Sequence, residues 1–247
     1  MSGFIDLHCH LLPALDDGAP ALRESMELAT ILEQLGFSTI YATPHQKAGA
    51  FMPSRSAIDE AHQSVAGAIA SAKLGLTLHL GAENFWDDVF VSRWAQPPKP
   101  SEIPCYTGGK AFLVEVHPRM VPPRLEDQLF QLRMTGILPV LAHPERYQPL
   151  WPSGKSLDRY AAIGRSTALV VDLGAIDGAH GNTECKMARR LVEEGLAHAV
   201  ASDSHTVSDT RSAAAGMAWI KKRCGTGRLQ ALLAEHPARI LAGDLPD

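Results

Sequence analysis

The hydrophobic positions of the chain form short apolar runs that alternate with longer segments of helical spacing. Helices are predicted at residues 20–36, 56–75, 125–136, 183–195 and 210–225, where apolar side chains recur every three to four positions. Because short strands that alternate with helices are joined by crossover connections, the strands should be parallel. The pattern predicts an α/β fold. The predicted strands are the seven apolar runs "FIDLH", "FSTIYAT", "LTLHLGAE", "AFLVEV", "ILPVLAH", "ALVVDLGA" and "AHAVASD", which is a barrel-like number.

Two segments do not follow this alternation. Residues 84–110 are the least regular part of the sequence and contain "QPPKP", so a long loop is predicted there, beside the mouth of the fold. The "SGKS" of residues 153–156 is similar to the end of a phosphate-binding loop, but Pro149 occupies the position of the required earlier glycine. We therefore predict a turn before a helix at "SGKS".

The composition is that of an ordinary soluble globular protein. The 247 residues are 45% hydrophobic and 20% charged, and no linker divides them, so a single domain spanning residues 1–247 is expected. The 27 acidic and 23 basic residues are well mixed and give a net charge of −4. Since no basic stripe is available to neutralise a phosphate backbone, a nucleic-acid partner is not expected.

Neither a targeting segment at the N-terminus nor a membrane span is expected from the sequence. No stretch approaches the ~20 apolar residues of a membrane span, and the first strand begins without a basic region, so a cytoplasmic protein, peripheral to a membrane at most, is expected. The cysteines Cys9, Cys105, Cys185 and Cys224 are isolated from one another in the sequence. They are expected to be reduced thiols rather than a zinc ribbon or a disulfide framework.

Histidines and carboxylates recur at the ends of the predicted strands. His8 and His10 are two residues apart on the first strand, so both should project from one face, with Leu7 and Cys9 on the other. Of the other six strands, only "ALVVDLGA" does not end in, or run into, a histidine or carboxylate. The remaining residues of this set are His45, Glu83, Glu115, His143, Asp203 and His205, with Asp17 shortly after the first strand.

Such residues should meet at one mouth, because the carboxyl ends of parallel barrel strands lie on the same side. Four unpaired carboxylates this close would repel one another, and divalent cations resolve the repulsion. Nine nitrogen and oxygen donors exceed the four to six that one ion needs, so two or three ions are expected. Without a cysteine ligand, manganese, iron and zinc all stay possible.

The motifs that carry these residues are similar to those of a known superfamily. "DLHCHLLPALDDGA", "ATPH", "GAE", "LVEV", "AHPERY" and "SDSH" have the order and spacing of the PHP (polymerase and histidinol phosphatase) superfamily. Over residues 5–241 the chain most resembles the bacterial manganese-dependent protein-tyrosine phosphatases of the CpsB/YwqE type. The resemblance implies a distorted, TIM-like (β/α)7 barrel with three metal ions. It assigns the metal ligands to His8, His10, Asp17, His45, Glu83, Glu115, His143, Asp203 and His205, and a phosphate contact to Arg146.

This resemblance predicts a metal-dependent phosphomonoester hydrolase. A metal-bridging hydroxide would attack phosphorus, while the third ion and Arg146 hold the phosphoryl oxygens. The conjugate acid of a phenolate leaving group has a pKa of ~10, so a strong general acid is not expected to be necessary, and the sequence indicates none. For Arg146, a surface ion pair with Glu145 is the alternative.

Other chemistries can be weighed on the same residues. A cysteine-based tyrosine phosphatase needs an arginine six residues after its thiolate. The residues at that distance from the four cysteines are Leu15, Ala111, Leu191 and Gln230, so the spacing excludes this mechanism. An amidohydrolase usually bridges its metal ions through a modified lysine. The matching strand here has Glu115 instead, which counts against an amidohydrolase. A small-molecule phosphatase of the same superfamily, acting on a histidinol-phosphate-like substrate, and a non-catalytic metal-binding regulator stay as alternatives.

Three positions depart from the tyrosine phosphatase pattern. Asp172 stands where an uncharged polar residue is more usual, and it could reshape the substrate pocket. The alternative is that Asp172 orients a histidine that binds metal. His117 follows Glu115 by two residues, and Gln46 replaces a basic residue after "PH". These differences bear on substrate choice. By resemblance, the expected partner is a phosphotyrosine protein, the tail of a bacterial tyrosine kinase that controls capsular or extracellular polysaccharide synthesis, and the oligomeric state stays open.

Overall fold

The computed structural model describes residues 3–94, 103–154 and 156–247. Short strands alternate with helices along the described residues. The strands are β1 (Phe4–Cys9), β2 (Phe37–Ala42), β3 (His45–Gln46), β4 (Thr77–Leu80), β5 (Glu83–Phe85), β6 (Ala111–Glu115), β7 (Leu138–Ala142), β8 (Ala168–Asp172) and β9 (Ala199–Ala201). The helices are α1 (Leu22–Gln34), α2 (Arg55–Ala72), α3 (Asp88–Trp94), α4 (Leu125–Met134), α5 (Asp158–Gly164), α6 (Leu173–Asp177), α7 (Asn182–Glu193), α8 (Val207–Cys224), α9 (Thr226–Gln230) and α10 (His236–Leu241).

The strands form two parallel sheets that continue into each other. One sheet has the order β1-β2-β4 and the other the order β3-β5-β6-β7-β8-β9. Strands β2 and β3 are pieces of one extended segment interrupted at Pro44, which has no N–H to donate. Strands β4 and β5 run beside them in the same way, because Gly81 N donates to Ala42 O at 2.8 Å and Glu83 N donates to Pro44 O at 3.2 Å. The described residues therefore form seven parallel strand segments.

The first and last strand segments are also neighbours. His10 N donates to Ser204 O at 3.0 Å, and Asp203 N donates to His8 O at 2.9 Å. Strand β1 thus has β2 on one side and the segment after β9 on the other. This topology confirms the predicted α/β class with seven parallel strand segments, and it brings the two ends of the strand array together.

Two layers of apolar side chains support this arrangement. The inner cluster contains Leu7, Tyr41 and Tyr106, together with small and branched residues from β6 to β9, and the Tyr106 hydroxyl donates to Leu7 O at 3.0 Å. A larger cluster lies between the strands and the helices and includes Leu28 of α1 and Leu129 of α4. Burial on both faces explains why the strands read as nearly continuous apolar runs.

Two details of the strand predictions are wrong. Leu7 belongs to the inner cluster and Cys9 to the outer one, because the pairing of β1 with β2 is irregular between Asp6 and Cys9. Strand β8 ends at Asp172 rather than at residue 175, because the Asp172 side chain accepts a hydrogen bond from Gly174 N at 2.6 Å and caps α6. Every predicted strand therefore ends at or next to a histidine or carboxylate.

The five predicted helices are confirmed as α1, α2, α4, α7 and α8. The long loop predicted at residues 84–110 is wrong in part, because it contains the end of β5 and the short helix α3, in which Phe90 is buried. Residues 95–102 of that prediction lie outside the described residues. The turn predicted at "SGKS" precedes α5, although Lys155 also lies outside the described residues. Among the described helices, none has the length and apolar character that a membrane crossing needs.

His198, immediately before β9, is expected to make the stability of the protein depend on pH. Burial, followed by the nearby charges of His236 and Arg228, lowers the pKa of His198 to about 4, and Leu169 N donates to its Nδ1 at 3.0 Å. The unfolded chain takes up a proton near pH ~6.5, which the folded protein binds only near its lower pKa. The free energy of unfolding should therefore fall as the pH falls through this window, by at most roughly 3 kcal/mol from this group.

The contribution of His198 can be isolated by a difference measurement. Urea unfolding of the wild type and of His198→Gln, followed from pH 7 to pH 4, should show a steeper loss of stability in the wild type, because glutamine accepts the Leu169 hydrogen bond without titrating. Parallel pH profiles for the two proteins would contradict the assignment.

Candidate functional site

The carboxyl ends of the strand segments bring all nine predicted ligand residues together. In each of four overlapping groups, the candidate nitrogen and oxygen atoms lie within 4.8 Å of one another. Within the described part of the chain, the groups contain these nine residues and no other. They are His10, Asp17, His45 and His205; His8, Glu83 and His143; His8, His10 and Asp203; and His45, Glu83 and Glu115.

Glu83 lies at the centre of these groups. Its Oε2 is 3.1 Å from His8 Nε2, 3.2 Å from His10 Nε2 and 3.1 Å from His45 Nδ1. Its Oε1 is 2.9 Å from His143 Nε2. The parallel register, which places Glu83 beside His45, brings this carboxylate to the middle of the strand array. One carboxylate therefore contacts four histidines and can bridge more than one cation.

Asp17 occupies the outer side of the centre. Its Oδ1 lies 3.4 Å from His45 Nε2 and 3.5 Å from His205 Nε2, and its side chain is 56% exposed. The ring of His205 stacks on that of His10, with centroids 4.0 Å apart. The outer group is therefore open to solvent, whereas the groups around Glu83 are buried.

Asp16, the neighbour of Asp17, orients two of the histidines. Its Oδ2 lies 2.9 Å from His10 Nδ1 and accepts a hydrogen bond from His45 N at 2.9 Å. This contact turns His10 Nε2 toward Glu83, as expected of a carboxylate behind a ligand histidine. The following Gly18 is needed for space, because a Cβ on this residue would lie 2.1 Å from His10 O.

The charges in the centre depend strongly on one another. Burial lowers the pKa of His10, but its contacts with Asp16 and Glu83 outweigh this effect and hold the pKa well above its ordinary value. Burial raises the pKa of Glu83, but the charges of His8 and His45 hold it well below its ordinary value. Positive charge is therefore strongly favoured beside these carboxylates, whether protons or metal ions carry it.

The unpaired atoms of the centre fit a metal ion. His45 Nδ1 and Glu115 Oε1 are buried and make no hydrogen bond, although they lie 3.4 Å apart. The Nε2 atoms of His8 and His10 face each other at 3.0 Å. Because neutral imidazole nitrogens and carboxylates both offer lone pairs, a shared divalent cation satisfies these atoms better than they satisfy one another.

Two of the candidate ligands have left-handed backbone conformations. His143 has φ of 31° and Asp203 has φ of 46°. Such conformations are strained for residues other than glycine and are common at functional sites. His143 immediately follows β7, and Asp203 lies two residues beyond the end of β9.

Arg146 lies at one side of the centre, in a short 3-10 helix (Pro144–Arg146) after β7. Its Nη2 is 2.6 Å from Asp172 Oδ2 and 2.6 Å from Asp203 Oδ2. The alternative of a surface ion pair with Glu145 is wrong, because Glu145 is completely buried and its Oε1 accepts from Asp172 N. Burial, followed by the charge of Asp172, raises the pKa of Glu145 well above its ordinary value and so favours its neutral form.

The sequence interpretation missed His180. Its Nε2 lies 2.7 Å from Asp172 Oδ2 and 2.8 Å from Arg146 Nη2. Asp172 therefore contacts His180 rather than a candidate metal ligand, and its alternative role in orienting a ligand histidine is wrong. The sequence feature that could have indicated His180 is the segment "GAHGN", in which a histidine lies among small residues shortly after a strand that ends in an aspartate. Arg146, Asp172 and His180 line a cavity of about 220 Å³ together with Asp203 and His205.

The other two departures lie at the rim. His117 is exposed, and its Nδ1 accepts a hydrogen bond from Arg119 N at 3.1 Å. Gln46 follows His45 in β3 and is partly exposed. The ring of Phe51 stacks on that of His45, the residue before Gln46, with centroids 5.7 Å apart. The rim of the centre is thus partly aromatic.

The family model for the capsular polysaccharide synthesis proteins CpsB/CapC matches residues 4–242. The chain belongs to the CpsB/CapC family. The chain is 31% identical to the tyrosine-protein phosphatase YwqE of Bacillus subtilis over 82% of its own length and 78% of that protein. It is 27% identical to the tyrosine-protein phosphatase CpsB of Streptococcus pneumoniae over 98% of its length and 99% of that protein.

Solved structures show the same relationship. A structure from work on YwqE of Bacillus subtilis and CpsB of Streptococcus pneumoniae, described as unique metal-dependent tyrosine phosphatases, matches with a TM-score of 0.82 and 29% identity. The match covers 97% of this chain and 95% of the other. A mutant organophosphorus hydrolase from Deinococcus radiodurans matches at a TM-score of 0.58 and 12% identity, over 97% and 93% of the two chains, and shows the fold alone. The resemblance to CpsB/YwqE-type proteins and the TIM-like fold class are therefore confirmed.

Proposed function

We propose that this member of the CpsB/CapC family is a metal-dependent phosphomonoester hydrolase that removes phosphate from phosphotyrosine in proteins. The observation that carries the proposal is the convergence of nine nitrogen- and oxygen-bearing side chains on one centre, with Arg146 and a cavity at its side. The names of the relatives support tyrosine phosphate as the substrate class. The catalytic unit is a single PHP-type domain spanning residues 1–247.

Three divalent ions, with manganese expected and iron or zinc possible, would be held by the nine residues of the four groups. When bound, such ions lower the pKa of water to make a nucleophile and neutralise phosphoryl oxygens. The overlap of the groups supports more than one ion, because Glu83 and three of the histidines each belong to two of them. The ligands are His8, His10, Asp17, His45, Glu83, Glu115, His143, Asp203 and His205.

Arg146 binds the phosphoryl oxygens in this proposal. Its planar guanidinium group is permanently charged and suits two phosphoryl oxygens at once. Burial lowers the pKa of Arg146, but the carboxylates of Asp203 and Asp172 outweigh burial and hold the pKa above its ordinary value. Asp203 and Asp172 also fix the position of Nη2. The group is therefore oriented before the substrate arrives, which favours electrostatic stabilisation of the transition state.

The rim supports an aromatic ester as the substrate. Phe51 stacks on His45, and the neighbouring Met52 is 46% exposed. A phenyl ring beyond the phosphate would contact these apolar surfaces. We propose as the partner a phosphotyrosine protein, specifically the tyrosine-rich tail of a bacterial kinase in capsular or extracellular polysaccharide synthesis. A cytoplasmic location follows from that partner.

Two assays test the proposal. The purified protein should release p-nitrophenol from p-nitrophenyl phosphate, with stimulation by Mn²⁺ and inhibition by a chelator that Mn²⁺ reverses. A phosphotyrosine peptide should then give a higher kcat/KM than histidinol phosphate. Absence of hydrolysis in metal-loaded protein would favour a non-catalytic regulator, and a clear preference for histidinol phosphate would favour a small-molecule phosphatase.

A further inference from the structure

Arg146, Asp172 and His180 contact one another at one side of the cavity, and none of the three belongs to the four candidate metal-ligand groups. Asp172 ends β8, Arg146 follows β7, and His180 lies in the turn between α6 and α7. Asp172 Oδ2 is 2.6 Å from Arg146 Nη2 and 2.7 Å from His180 Nε2. The three residues come from three separate segments and meet at one carboxylate oxygen.

The hydrogens on these nitrogens decide which atom donates. Arg146 Nη2 has two hydrogens but three polar neighbours, namely the Oδ2 atoms of Asp172 and Asp203 at 2.6 Å and His180 Nε2 at 2.8 Å. The carboxylates are the stronger acceptors and take both hydrogens. His180 Nε2 therefore donates its own hydrogen to Asp172, and Nδ1 is the ring nitrogen that can gain or lose a proton.

Asp172 can orient the ring of His180. Burial raises the pKa of Asp172, but the hydrogen bond with His180 and the charge of Arg146 outweigh burial, and the pKa lies below its ordinary value. Asp172 Oδ2 lies 2.7 Å from His180 Nε2. A carboxylate in this position fixes the tautomer of a histidine and the orientation of its ring.

The exposure of the three side chains increases toward solvent. Asp172 is 2% exposed, Arg146 23% and His180 39%. Because Arg146 and His180 line the same cavity, a phosphoryl group that contacts Arg146 there has the more exposed His180 at its side. The ester oxygen must leave on that side, because the rest of a protein substrate lies in solvent. Within the described residues, Nδ1 of His180 makes no hydrogen bond, so it is available to that oxygen.

We propose that His180 donates a proton from Nδ1 to the leaving oxygen, and that Asp172 orients its ring for this step. The proposal rests on the phosphatase function proposed above. As the bond between phosphorus and the ester oxygen breaks, its electron pair goes to that oxygen, which takes the proton and leaves as a phenol. His180 becomes neutral, keeps its hydrogen bond to Asp172 through Nε2, and regains a proton from solvent.

The charged groups around His180 come from each segment that lines the cavity. Arg146 lies on the segment after β7, and Asp172 at the end of β8. Asp203, His205 and Asp209 come from the segment after β9 and the start of α8. Asp172 is the acidic member of this set that contacts His180 directly, so it is the residue that orients the ring.

Two esters that differ only in the basicity of the leaving group test the proposal. Phenolate is more basic than p-nitrophenolate and gains more from protonation. In metal-loaded protein, His180→Gln should lower kcat/KM for phenyl phosphate by about 10²-fold. The fold-loss in kcat/KM for p-nitrophenyl phosphate should be smaller than this by a factor of about ten or more. Equal losses for both esters would overturn the proposal. Wild-type protein that hydrolyses neither would overturn the proposed function and this inference with it.

Two further variants separate proton donation from structure. His62→Gln, at a histidine of α2 whose Nε2 lies 3.2 Å from Leu78 O, should leave the ratio of the two kcat/KM values unchanged. Asp172→Asn should lower kcat/KM for phenyl phosphate more than for p-nitrophenyl phosphate, because an amide oxygen accepts a hydrogen bond more weakly than a carboxylate and so orients the His180 ring less firmly. Equal losses for the two esters would count against the pairing.

A spectroscopic measurement tests the same assignment without turnover. Long-range ¹H–¹⁵N NMR spectra of the wild-type protein at alkaline pH should show the single ring proton of His180 on Nε2. His180→Gln identifies the resonance by its loss. A proton on Nδ1 would overturn the proposed direction of the Asp172 hydrogen bond, and with it the role of Nδ1 as donor.

Discussion

Glu83→Gln should lose its bound metal and at least about 10³-fold in kcat/KM for p-nitrophenyl phosphate, because bound metal ions supply several kcal/mol of transition-state stabilisation. The physical reason is the position of this carboxylate, whose two oxygens lie within 3.2 Å of nitrogens from His8, His10, His45 and His143. An amide has no negative charge, and its N–H₂ group would direct hydrogens into a cation site. Metal analysis of the purified variant, measured beside its kinetics, checks both expectations.

Glu145→Gln is the matched control for this experiment. Both glutamates are buried, but the pKa of Glu145 lies well above its ordinary value because of burial and the charge of Asp172, whereas that of Glu83 lies well below. Glutamine therefore replaces a carboxyl group whose neutral form is favoured at Glu145 and one whose charged form is favoured at Glu83. The control should keep its metal content. Wild-type metal content and rate in Glu83→Gln would contradict the central role of this carboxylate.

The convergence of the nine candidate ligands could be predicted because it depends on local pattern. Period-two spacing predicted that His8 and His10 share a side, and the structure places their Nε2 atoms 3.0 Å apart. Parallel strands that alternate with helices fix which strand ends meet, so residues as distant as Glu83 and Asp203 could be assigned to one mouth. The burial of Glu83 and its contact with four histidines depend on strand register, which the sequence pattern does not specify.

What the sequence did not predict depends on single residues that interrupt a pattern. The apolar run "ALVVDLGA" continues past Asp172, yet the Asp172 side chain caps α6 and ends the strand. The irregular pairing of β1 sends Leu7 and Cys9 to different layers, although period two places them together. His180 lies in a turn outside every strand-end motif, and only the tertiary structure brings it to Arg146. Local periodicity therefore predicts the elements but not their irregularities.

Arg146→Ala is expected to keep the metal ions but to lose about 10²- to 10³-fold in kcat/KM, because an electrostatic contact of this kind is worth that much in the transition state. None of its atoms belongs to a metal-ligand group, yet its Nη2 lies 2.6 Å from Asp203, which does. The variant should also bind inorganic phosphate more weakly, measured as the inhibition constant of phosphate against p-nitrophenyl phosphate.

Arg146→Lys should recover only part of this loss, because a single ammonium group cannot present the planar pair of donors that a phosphoryl group accepts. Arg55→Lys is the matched control, since Arg55 forms an exposed ion pair with Asp59, at 2.9 Å, on α2. This control should change neither the kinetics nor phosphate inhibition. Loss of metal from Arg146→Ala would show that the arginine supports the centre through Asp203. Unchanged phosphate inhibition would instead remove Arg146 from the phosphate site, since a group that binds the transferred phosphoryl oxygens must also contact the product.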